Sequence, residues 1–131
     1  MKNLNELAKQ VHEEVKEKGF WDKPRDTGTL LMLIVSELSE ALEADRKSRY
    51  AKLEDFNLCQ NINQKNHTIG KDEFDKKSFE ETIKDTFEDE IADTFIRLFD
   101  LVGQRNIDIE EHIKLKLQYN QTRPHKHGKK Y

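Results

Sequence analysis

The sequence predicts an all-α protein, a four-helix bundle whose core is completed by self-association, and three observations carry this. Apolar residues recur at intervals of three and four in four separate stretches, the period of an amphipathic helix. No stretch alternates convincingly at period two, so no strand is expected. The chain of 131 residues is only 34% hydrophobic and 37% charged, against about a quarter charged in ordinary soluble domains. A single bundle of that composition has a thin core unless a second copy covers part of it, which predicts a homodimer or homotetramer.

The elements follow in order. Leu4, Leu7, Ala8, Val11 and Val15 draw a first helix over 4–18, with Asn3 and Glu6 as a capping pair and Gly19 as its stop. The loop Gly19-Phe20-Trp21-Asp22-Lys23-Pro24-Arg25-Asp26 is marked by glycine and proline. Asp26 or Thr27 caps a second helix running to about Lys47. It is apolar over much of its circumference (Leu30, Leu31, Leu33, Ile34, Val35, Leu38, Ala41, Leu42), which suits the middle of a bundle. From about 48 to 77 the chain turns to Asn, Gln, Lys and Asp with few apolar anchors, an insertion expected to be partly helical or mobile. A third helix, about Phe79 to Gly103, holds Ile83, Phe87, Ile91, Phe95, Leu98, Phe99 and Val102 in register, with Gly103 as its C-terminal cap. Asp108 with Glu111 opens a fourth through Ile109, Ile113 and Leu117. The whole, 1–131, reads as one domain with a basic tail over 123–131.

Composition narrows the function classes. A net charge of -3 gives no general basic surface, which excludes a nucleic-acid polymer as partner. Positive charge concentrates only in the tail, either a solvated end or an anion-binding arm. Cys59 is the single cysteine, so no internal disulfide can form. The first fifteen residues are charged throughout, unlike a signal peptide. The longest apolar run, Leu30 to Val35, is far short of a bilayer span. The expectation is a cytoplasmic protein without membrane contact.

Certain acids fall where a bundle wants apolar residues. On a helical wheel Glu37 lies within the face of Leu30, Leu33, Ile34, Ala41 and Ala44, and Glu40 follows at its edge. Glu90 sits beside Ile83 and Leu101, and Asp93 comes three residues later. Uncompensated carboxylates there are costly, so a cation is expected to neutralise them. That cation is either a basic side chain, Arg97 or Arg46, or a metal. For Asp93, a wheel neighbour of Arg97, the two stand level; for Glu37, among apolar neighbours, an ion pair is the poorer explanation. No Glu-x-x-His occurs, which disfavours a di-iron bundle, and no Cys/His cluster offers a zinc site. Oxygen-only ligands point to Mg²⁺, with Mn²⁺ as substitute. Because Mg²⁺ keeps open positions for phosphate oxygens, the substrate is expected to be phosphorylated.

Glu37-x-x-Glu40 followed by Glu90-x-x-Asp93 resembles the paired acidic motif of the MazG-like, all-α nucleoside triphosphate pyrophosphohydrolases. Gly19-Phe20-Trp21, the run Leu33 to Ala41, Asp89 to Asp93, and Lys116-x-x-x-Asn120-x-x-Arg123-Pro124 near the end resemble the same family. About fifty residues separate Glu40 from Glu90, more than the family usually shows, and the excess is the polar segment 48–77. The resemblance implies a MazG-type bundle in which Glu37, Glu40, Glu90 and Asp93 hold Mg²⁺ against a nucleoside triphosphate. It further implies hydrolysis to the monophosphate and pyrophosphate, with Glu37 or Glu40 as general base and a role in nucleotide-pool housekeeping.

Lys116, Asn120 and Arg123 share one side of the fourth helix and suit phosphates or a sugar, or else form a solvated polar face. Trp21 is either a base-stacking platform or a plug at the open end of the bundle. The competing functions are a non-catalytic nucleotide- or metal-binding regulator and a helical interaction module on the same scaffold.

Overall fold

The computed structural model describes residues 2–131 and is all-helical, with no strand among them. Six α-helices follow in order: α1 Leu4–Glu17, α2 Thr27–Arg46, α3 Leu53–Lys65, α4 Lys76–Thr82, α5 Phe87–Gln104 and α6 Ile109–Gln121. A short 3₁₀ turn, His125–Gly128, follows them. The chain divides into two compact units, one of residues 26–97 and one of residues 1–25 with 98–131, the division falling within α5. No helix among the described residues is long and apolar enough to cross a membrane.

Capping sets the boundaries. Asn3 and Glu6 form a reciprocal capping box on α1, Asp26 accepts from the Thr29 N–H at the start of α2, and Asp108 accepts from the Glu111 N–H at the start of α6. Gly19 follows α1 with φ +87°, the left-handed conformation that glycine adopts without strain.

The expected third helix is two. It breaks between Thr82 and Phe87, where Asp85 takes φ 59°. Thr86 supplies the reason: its hydroxyl accepts from the Asp89 N–H at 3.3 Å, while Asp89 accepts from the Asp85 N–H at 2.9 Å. A side-chain cap of that kind starts a new helix. Gly103, expected as a cap, lies inside α5; the left-handed residue after this helix is Asn106, φ 51°. A Cβ at Gly103 would stand 2.4 Å from the Ala8 carbonyl oxygen, so glycine here permits α1 to approach α5 within their own unit.

The polar insertion is ordered as a hairpin of α3 and α4. Asp75 is buried and accepts from Asn63 Nδ2 at 2.5 Å and from the Ser78 hydroxyl at 2.6 Å; these bonds hold its carboxyl below the usual range. Phe56, Phe74 and Phe79 pack together with centroids 5.7–6.4 Å apart.

The buried apolar set is small, as the composition implies: Leu30, Ile34, Ala41, Ala44 and Ile83 in unit 26–97, Ala8 and Val102 in the other. Leu31, Val35, Leu38 and Leu42 of α2 are each about half exposed.

Candidate metal centre

Within residues 26–97, α2 and α5 bring carboxylates together. One oxygen each from Glu37, Glu40 and Glu90 lie within 4.8 Å of one another, with Glu37 and Glu90 buried and Glu40 exposed. Three of the four acids picked from the sequence thus converge. Asp93, half-buried one turn beyond Glu90, is outside that trio. A second group joins Asp85, Asp89 and Glu90, so Glu90 belongs to both. Sequence reasoning missed Asp85 and Asp89; the signal for Asp89 was its place three residues after a capping threonine.

The electrostatics are those of crowded negative charge. Burial pushes the Glu90 carboxyl up to about 7, and the charges of Glu40, Asp89, Asp93 and Glu37 push in the same direction. Asp93 is also raised, first by burial, then by Asp89 and Glu37, with Arg97 opposing. No basic side chain stands within ion-pair distance of Glu90 among the described residues.

Glu37 differs from its sequence expectation. Arg97 Nε donates to Glu37 Oε1 at 2.5 Å, so the arginine assigned to Asp93 on the wheel pairs across to α2. A wheel describes one helix and cannot show a partner on another. Hard oxygen donors, two of them buried, with one arginine for the cluster, make a group that could hold a metal ion.

The remaining candidates lie in the unit of 1–25 and 98–131. Trp21 Nε1 donates to Asp100 Oδ1 at 2.9 Å, His12 meets the Trp21 ring edge-on at 5.4 Å, and the Arg25 guanidinium sits 5.4 Å from the same ring. Asp100 is buried and also bonds His12 Nδ1 at 2.8 Å; this histidine stands alone in a polar context in the sequence, with no local signal of a role. On α6, Lys116 Nζ and the Arg123 guanidinium lie 5.0 and 5.7 Å from the Tyr119 ring, and Asn120 has a buried Oδ1 with no hydrogen-bond partner.

Compared with protein-family models, with curated proteins and with solved structures, the chain matches none.

Proposed function

We propose that the chain is a Mg²⁺-dependent nucleoside triphosphate pyrophosphohydrolase of the MazG-like type, acting as a homo-oligomer. The observation that carries this reading is the convergence of Glu37, Glu40 and Glu90 from two helices, two of them buried. Burying that much like charge without an equal number of cations is costly, and sites that bear such a cost are characteristically functional.

Glu37, Glu40 and Glu90 would hold the ion, with Asp93 beside them on α5. Bound there, Mg²⁺ supplies charge neutralisation on phosphate oxygens and acidifies a water molecule. Arg97 fixes the Glu37 carboxylate, leaving Glu40, exposed and outside any ion pair among the described residues, as general base. In the other unit, Lys116 and Arg123 of α6 carry two cations of the kind that suits an anion, with Asn120 between them in sequence. The Trp21 indole donates its N–H to Asp100, with His12 edge-on and the Arg25 guanidinium over the ring. Self-association is supported by Leu31, Val35, Leu38 and Leu42, whose spacing of four, three and four is that of a coiled-coil seam.

The interaction-module reading has one observation in its favour, the Glu37–Arg97 ion pair. Pyrophosphate release from a panel of natural and modified nucleoside triphosphates, in Mg²⁺ and in EDTA, decides. Release in Mg²⁺ and none in EDTA is expected. No release from any triphosphate, or release indifferent to EDTA, overturns the hydrolase; metal-dependent nucleotide binding without turnover selects the regulator.

A further inference from the structure

Unit 26–97 contains an open cavity of about 810 Å³ to which the carboxylate trio assigns no role. That size lies within the ~300–1,000 Å³ of pockets that take small organic ligands. Its apolar wall comes from three helices: Leu53 at the start of α3, Phe79 of α4 with Ile83 at its end, and Ala92 and Ile96 of α5. The rest of the lining is mostly acidic, Glu54, Asp55, Glu88, Asp89 and Asp93 against a single cation, Lys52. Asp89 groups with Asp85 and Glu90, and Glu90 converges with Glu37 and Glu40, so through Asp89 the cavity adjoins the acid cluster.

The wall is built in advance. The Ala51 N–H donates to Glu88 Oε2 at 2.7 Å, the Phe87 N–H to the Arg49 carbonyl at 2.9 Å, and Tyr50 meets Phe87 edge-on at 6.3 Å. These contacts fasten the entry of the hairpin to the start of α5, and Asp75 ties α3 to α4. A pocket already formed loses little ordering entropy when it is filled.

The two sides set conflicting demands on an occupant. The apolar wall selects a planar or aliphatic body, and the acids repel an anion unless a cation lies between. A molecule that satisfies both has an organic body joined to a phosphate chain held through a divalent ion. Resting on the hydrolase reading, we propose that the α3–α4 hairpin forms the subsite for the nucleoside half of the substrate, with Leu53, Phe79 and Ile96 against the base. The long segment between the two acid pairs is thereby a specificity element.

The test uses the full chain with Mg²⁺ and three probes: the α,β-imido analogues of dATP and dUTP, which resist hydrolysis at that linkage, and inorganic triphosphate. Binding is measured by calorimetry for wild type, Leu53→Ala and Ile96→Trp. Both positions are exposed, at 66% and 44%, so neither change removes a core contact. Leu53→Ala strips the wall and Ile96→Trp fills the space, so a folding defect in one leaves the other decisive. Both variants should bind the nucleotide analogues about ten-fold more weakly, the loss expected for one apolar contact surface. Ile96→Trp should penalise the larger purine more, and inorganic triphosphate should bind all three proteins alike. Equal binding of the nucleotide analogues by all three proteins, or parallel weakening of inorganic triphosphate, overturns the subsite. Wild type that releases pyrophosphate while both variants bind the analogues normally removes the subsite and leaves the hydrolase. Wild type that binds no analogue in Mg²⁺ and releases no pyrophosphate removes both.

Discussion

Replacing Glu90 with Gln keeps the shape of a side chain that is 6% exposed and removes its charge. The wild-type carboxyl is raised from 4.5 to about 7, chiefly by burial and then by four neighbouring acids. Each pH unit of such a rise is worth about 1.4 kcal/mol, so the ionised group costs the metal-free fold on the order of 3 kcal/mol. Water reaching the exposed Glu40 side of the cluster reduces this to about 1.5 kcal/mol. The folded protein binds this proton more tightly than the unfolded chain, so stability falls as pH rises from about 4.5 to about 7, and the full penalty stands above that. In EDTA, Glu90→Gln should therefore match wild type near pH 4.5 and melt roughly 5 °C higher at pH 8. On the proposed metal site, the order should reverse in Mg²⁺, since the variant lacks one of the carboxylates assigned to the ion. Glu37→Gln is the contrast: it strands Arg97, a side chain 36% exposed, and should destabilise the protein in EDTA by about 1 kcal/mol. Thermal melts of the three proteins across pH, with Mg²⁺ and with EDTA, measure all of this. A Glu90→Gln variant less stable than wild type in EDTA at pH 8, or a difference that does not change with pH, refutes the reasoning.

Gly103→Ala places a Cβ 2.4 Å from the Ala8 carbonyl oxygen and 2.8 Å from His12 Cβ; denaturant unfolding should show a loss of about 2–3 kcal/mol. Lys116→Ala and Arg123→Ala should each raise KM for nucleoside triphosphate about ten- to a hundred-fold, and unchanged KM in both returns α6 to a solvated face. The amides of α3, which has no buried residue, should exchange with solvent earlier than those of α2 and α5; equal protection would show the hairpin opening only with the whole molecule.

The acid cluster was legible because a carboxylate inside an apolar helical stripe is a local contradiction, visible without a fold. Glu37 and Glu90 both prove buried, at 7% and 6% exposed. The caps at Asn3, Asp26 and Asp108 were legible for a similar reason, since each requires only a side chain and a backbone N–H three residues on. Arg97 pairing with Glu37, and His12 with Trp21 on Asp100, were not, because those partners lie 60, 88 and 79 residues apart. The break before α5 hid behind an apolar register that continues from Ile83 through Phe87 to Ile91, while the capping threonine between them carries no apolar signal. Gly103 misled because glycine both stops helices and admits a neighbouring backbone, and only the fold tells which.

One unit joins residues 1–25 to the stretch from Leu98 onward, and Asp100 fastens it by accepting from Trp21 and bonding His12. Emerging from a ribosome at ~5–20 residues per second, α1 precedes its anchor by roughly 5 to 20 s. A helix of 14 residues is marginal in water by itself. The contiguous stretch 26–97 has no such wait, and it contains Glu37, Glu40, Glu90 and Asp93. Every carboxylate of the cluster, and the arginine that pairs with Glu37, is thus synthesised before the residue that captures the first helix, so the cluster can assemble while the segment before it is still unclaimed.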